Sequence, residues 1–138
     1  LVLPGFGVST KAAYAWYDED ASSGLSVRTR QTPGRVPGSW ARPAADVVND
    51  LEEPVARRHP EIAEAAGILR QAGSEVAAMS GSGSAVFGLF TSSGAAGAAV
   101  RASERRGWRA VRTRTLGHAE YKWLSRVRRQ RPAPTGPR

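Results

Sequence analysis

Residues 78–90 read Ala78-Met79-Ser80-Gly81-Ser82-Gly83-Ser84-Ala85-Val86-Phe87-Gly88-Leu89-Phe90, a glycine-serine turn that runs without a spacer into uncharged apolar residues. This pattern predicts a backbone loop followed by a buried strand. Gly81 and Gly83 allow positive φ and close backbone approach, so successive N–H groups can converge on an anion, with the hydroxyls of Ser80, Ser82 and Ser84 as further donors. A flexible linker does not fit, because the stretch is short and a strand-like run follows at once. A tight hairpin turn that binds nothing is the competing reading. Two phosphate-loop patterns are excluded: the P-loop needs a lysine followed by Ser or Thr after its last glycine, and the dinucleotide fingerprint needs a glycine where Val86 stands.

Around this loop, residues 75–79 read as the strand entering the turn and residues 85–90 as the strand leaving it, so the two form a hairpin. Upstream, Pro60 suits the first position of a helix whose Ile62, Ala65 or Ala66, and Leu69 share one face before Gly73 ends it. Asp50 and Glu53 form a capping-box pattern for a shorter helix with Pro54 in its first turn, and residues 44–48 are helical before it. Leu1-Val2-Leu3-Pro4 reads as the end of a strand, and Ser9 or Thr10 as the N-cap of a helix over residues 11–18. Residues 19–43, rich in Ser, Gly, Pro and Arg, predict a long surface loop anchored locally by Trp40.

Downstream, Ser92 or Ser93 caps a helix through Arg106, and Gly107 stops it. Residues 108–116 alternate as a half-exposed strand, with Trp108 and Ala110 on one side. Beyond Leu116 the pattern supports a short helix at best, and from Arg131 a loose tail. The resulting order is the β-α-β-β-α-β of an α+β ferredoxin-like sandwich with extra helices in the first crossover, spanning residues 1–116, followed by a basic, partly disordered extension over residues 117–138.

The chain of 138 residues is one domain's worth of sequence and begins in an apolar run at Leu1, which reads as a piece of a longer protein. No stretch approaches a membrane span, and the absence of cysteine excludes disulfides and thiolate metal ligands and fits the cytoplasm. The two histidines, His59 and His118, have no clustered carboxylates and read as solvated surface residues, so no metal site is expected. The net charge of +8 is uneven: residues 1–100 hold 8 Lys/Arg against 10 Asp/Glu, and residues 101–138 hold 12 against 2. The basicity belongs to the C-terminal end.

Three stretches carry a family resemblance. Pro4-Gly5-Phe6-Gly7-Val8-Ser9-Thr10-Lys11-Ala12-Ala13-Tyr14, Asn49-Asp50-Leu51-Glu52, and Met79-Ser80-Gly81-Ser82-Gly83-Ser84-Ala85-Val86-Phe87 resemble, in that order, the C-terminal half of GHMP superfamily kinases. Within that superfamily they look like the branch acting on a cytidine-diphosphate-linked methylerythritol in the non-mevalonate route to isoprenoid precursors. The resemblance implies transfer of the ATP γ-phosphoryl group to the 2-hydroxyl of that substrate, with Mg²⁺. It implies an N-terminal domain carrying the ATP phosphate loop, with a lysine and an aspartate at the acceptor hydroxyl, and a C-terminal ferredoxin-like domain closing the cleft. Residues 80–84 match a family motif beside the phosphates, Thr10 a position lining the substrate pocket, and Tyr14 one offering an aromatic face to cytosine. The residues agree: Tyr14 lies one helical turn past Thr10, and stacking a base on an aromatic ring contributes about 1–3 kcal/mol. A core role for Tyr14, and a simple capping role for Thr10, remain compatible with the sequence.

The chain departs from the family in showing no second Gly/Ser loop and no matching aspartate, so no catalytic residue is assigned and the chain alone is expected not to turn over substrate. The rival class is a nucleic-acid-binding module using Arg126, Arg128, Arg129 and Arg131, although the strands lack the spaced aromatics such a sheet uses. A small-molecule sensor that kept the fold without the kinase half is the third reading.

Overall fold

The computed structural model describes residues 1–25 and 47–129. Four antiparallel strands, β1 (Val2–Leu3), β2 (Val76–Met79), β3 (Val86–Leu89) and β4 (Arg109–Ala110), form one sheet in the order β2-β3-β1-β4. With α1 (Thr10–Ser22), α2 (Glu52–Arg58) and α3 (Glu61–Gln71) in the first crossover and α4 (Ser93–Arg105) in the second, this is the ferredoxin-like order read from the sequence. A final helix, α5 (His118–Arg129), follows the sheet.

The core lies between the sheet and α3. Ile62, Ala65, Ala66 and Leu69 recur at helical spacing and are buried against Ala77, Met79 and Val86. The approach is close because Gly88 has no side chain: a Cβ there would lie 2.8 Å from Phe90 Cε2 and 3.3 Å from Leu69 Cδ2. Helix α4 packs on β4 and α3, with Ala99 and Ser103 buried.

Edge strand β2 is closed by side chains where a further strand could add. In an antiparallel pair alternate residues turn their backbone groups outward, here Ala77 and Met79. Arg70 donates to the Ala77 carbonyl at 3.1 Å, Glu52 accepts from the Met79 N–H at 2.8 Å, and Asn49 donates to the Met79 carbonyl at 2.9 Å. The edge therefore offers fewer free groups to a second chain.

Several expectations change. Helix α1 runs to Ser22, past the residue 18 expected, because its last turn is held from outside: Asp20 takes bonds from Arg57 Nε at 2.9 Å and from Arg58 Nη2 at 3.0 Å, and Arg58 also pairs with Glu19 at 2.7 Å. The Asp50–Glu53 capping box does not form. Asn49 Oδ1 accepts from the Leu51 N–H instead, and Glu53 pairs with Arg57 four residues on. The last strand covers Arg109–Ala110, shorter than the residues 108–116 expected, and Val111 exchanges backbone bonds with Leu1. Helix α5, at 12 residues, is longer than the short helix expected, and it carries exposed Tyr121 and Trp123. His59 is no solvated residue: its ring stacks on Phe6 at 4.5 Å and meets Trp16 at 5.6 Å, whereas His118 is exposed. Val47 and Val48 are not helical. The rest of the expected helix over residues 44–48, the loop from residue 26 with Trp40, and the tail from Arg131 lie outside the described residues.

Asp20 is 3% exposed, and hydrogen bonds from Arg58 and then Arg57 outweigh the opposing effect of its burial, holding its carboxyl below the usual carboxylate range. A folded pKa below the unfolded one adds stability above the unfolded value of about 3.9, and that stability is lost as pH falls through the lower folded value. Asp20→Asn is expected to lower the urea midpoint of the chain at pH 7, with the gap to wild type narrowing as pH falls below the unfolded carboxylate value of about 3.9. A gap of equal size above and below that value would show that the carboxylate charge plays no part.

Candidate functional site

The glycine-serine turn closes the β2–β3 hairpin with Ser80 N–H donating to Ala85 O at 2.8 Å and Gly83 N–H to Ser80 O at 3.1 Å. Gly81 and Gly83 adopt φ of 59° and 88°, the left-handed region that the sequence reserved for them. Gly83 is constrained twice, since a Cβ there would lie 2.8 Å from Met79 Sδ, itself 2% exposed.

The three serines of the loop part company. Ser80 is exposed, and Ser82 Oγ shares a hydrogen bond with Thr10 Oγ1 at 3.2 Å. Ser84 is turned inward, buried, with its hydroxyl donating to the Phe6 carbonyl, which corrects the expectation that it is a further donor to an anion. Its bond fixes the loop to the segment that leads into α1.

Ser9 is the N-cap of α1, its hydroxyl accepting from the Ala12 N–H at 3.1 Å. That leaves Thr10 as the first helical residue with its hydroxyl free of capping duty. Tyr14 lies one turn on and is 56% exposed, so it is not a core aromatic. An open groove of about 590 Å³ is lined by Thr10, Tyr14 and Tyr17 from α1, residues 48–51 before α2, and Gly81 with Ser82 from the loop. The structure thus brings Thr10, Tyr14, Gly81 and Ser82 together on one concave surface, with Gly83 and Ser84 supporting it from behind.

Two contributors lacked an assigned role in the sequence. Tyr17 falls at the i, i+7 position from Thr10 and joins the same helical face, a spacing that was open to reading. Asn49 was quoted only as part of a motif. Its carboxamide donates from Nδ2 to Met79 O and Gly81 O, both at 2.9 Å, while Oδ1 accepts from the Leu51 N–H at 3.1 Å. One side chain therefore ties the start of α2 to the loop. Among the described residues no group of three or more His, Cys, Asp or Glu could hold a metal ion, and no helix is long and apolar enough to cross a membrane.

The family described as GHMP kinases C terminal matches residues 37–108. A protein of Anaeromyxobacter sp. (strain K) named 4-diphosphocytidyl-2-C-methyl-D-erythritol kinase is 40% identical over 105 residues, covering 75% of this chain and 31% of the relative. A protein of the same name from Methylorubrum extorquens is 40% identical over 120 residues, covering 78% and 39%. A shorter match, 54% identical over 44 residues, covers 32% of this chain and 16% of the protein so named in Porphyromonas gingivalis. The chain spans about a third of the length of the first of these relatives.

The two loop glycines are expected to differ in cost. Gly81→Ala meets no atom within 4 Å. It should lose roughly 1–2 kcal/mol through left-handed strain alone. Gly83→Ala adds overpacking against Met79, for a total of roughly 2–4 kcal/mol. Urea unfolding of both variants checks this; equal losses would mean that Met79 moves aside.

Proposed function

This chain belongs to the GHMP kinase family, whose C-terminal domain it supplies, and on that premise we propose that it forms the substrate-side wall of a kinase for 4-diphosphocytidyl-2-C-methyl-D-erythritol. The reaction transfers the γ-phosphoryl group of ATP, with Mg²⁺, to the 2-hydroxyl of that substrate, in the route to isoprenoid precursors and in the cytoplasm. The observation that supports this reading is the groove itself, in which Thr10 and Tyr14 of α1 face Gly81 and Ser82 of the loop across a shared hydrogen bond.

In this reading Tyr14 presents its ring to the cytosine, Thr10 offers its hydroxyl to the substrate, and residues 80–84 lie beside the phosphates. The nucleotide's phosphate loop, the metal and the groups that act on the acceptor hydroxyl are supplied by residues outside this chain. Phosphoryl transfer depends on positioning and on charge neutralisation at the phosphates, and the groove described here supplies the first of these for the acceptor. In this reading the kinase domain is assigned to residues 1–116, and residues 117–138 follow it in the sequence as a basic extension.

The test is an ATP-dependent assay with the cytidine-linked substrate on the complete kinase that carries this chain. Tyr14→Ala is expected to raise the KM for that substrate by roughly 5- to 150-fold, the equivalent of one stacked base, with a smaller change in kcat. A KM left at the wild-type value would remove Tyr14 from the site. The 138-residue chain by itself is expected to show no turnover; measurable product from it would place a catalytic group within these residues.

A further inference from the structure

We propose that Asn49 is a positioning residue for the glycine-serine loop: its carboxamide holds two loop carbonyls on one side and so leaves the Ser82 N–H on the other side for a phosphate oxygen. This rests on the reading of residues 80–84 as phosphate-proximal.

In a trans peptide the C=O and the next residue's N–H point in opposite directions. The Met79–Ser80 peptide shows this directly: its carbonyl accepts from Asn49 Nδ2 at 2.9 Å, and its N–H donates to Ala85 O at 2.8 Å. The Gly81–Ser82 peptide is held by the same Nδ2 at 2.9 Å, so the Ser82 N–H also faces away from Asn49. That N–H has no acceptor among the described residues. Of its neighbours, Gly83 N–H is spent on Ser80 O, and the Ser84 hydroxyl on Phe6 O.

A backbone loop attracts an anion only when its N–H groups, not its carbonyl oxygens, face the ligand. Gly81, at φ 59°, sits in a flexible residue type whose flanking peptides could otherwise turn over. A neutral amide suits the task, because its NH₂ supplies two donors at one atom while its oxygen remains for Leu51. The Ser82 N–H and its hydroxyl, bonded to Thr10, then lie in one residue at the groove.

The experiment follows the Ser82 amide resonance of the ¹⁵N-labelled 138-residue chain during titration with inorganic pyrophosphate. Wild type is expected to give a saturable shift at Ser82. Asn49→Ala and Asn49→Ser are expected to weaken the affinity by about tenfold or more, as for one hydrogen bond to a charged group. The serine variant keeps an oxygen for the Leu51 N–H and so preserves the start of α2. Arg70→Ala loosens the same sheet edge at Ala77 and is expected to retain wild-type affinity, which separates positioning of the loop from general support of the edge. Unchanged pyrophosphate affinity in a folded Asn49 variant, an equal loss in Arg70→Ala, or no shift at Ser82 in wild type overturns the proposal. Asn49-dependent titration of Ser82 alongside a complete protein inactive on the cytidine-linked substrate would support it while defeating the substrate assignment.

Discussion

The outer edge of β2 has backbone groups that must be satisfied, and the way they are satisfied organises the site. Met79 turns both its N–H and its carbonyl away from β3, and Glu52 and Asn49 take the place of a neighbouring strand. A buried backbone group without a partner costs about 1–3 kcal/mol. Once Glu52 and Asn49 are committed to Met79, the start of α2 cannot shift along the sheet. The floor and one wall of the groove are thereby fixed relative to each other.

The opposite wall is α1, and it is held at the other end of α2. Asp20 near the end of α1 is clamped by two adjacent arginines, while Trp16 lies under the Arg58 guanidinium at 5.4 Å and against the His59 ring. Helix α2 therefore spans between a polar clamp on α1 and a backbone clamp on β2. At the groove itself the two walls meet directly, through the hydrogen bond between Thr10 Oγ1 and Ser82 Oγ.

The parts of the fold that local chemistry decides were legible in the sequence. The Gly81/Gly83 turn, the apolar face of α3 and the serine cap of α4 each rest on residues within a few positions; the first two stand where they were read, and of the two serines offered for the cap the structure uses Ser92. What escaped reading depends on distant partners. The last turn of α1 needs Arg58, 38 positions on from Asp20, and the role of Asn49 needs carbonyls 30 and 32 positions away. Of the site, the sequence placed Thr10, Tyr14 and the loop in one reading through family resemblance, but it could not show that Ser84 turns inward.

The centre of the sheet also sets the order in which the molecule can be completed. Strand β1 lies between β3 and β4, and the bond between Leu1 and Val111 joins residues 110 positions apart. At a synthesis rate of about 5–20 residues per second, that partner follows Leu1 out of the ribosome by roughly 5–20 s. During this interval the β2–β3 hairpin and α3 can assemble and β3 can pair with β1, while β1 shows an unpaired edge on the side that β4 later takes. The nascent domain thus passes through a stage in which β1, one of the two inner strands of the finished sheet, is still open along one side.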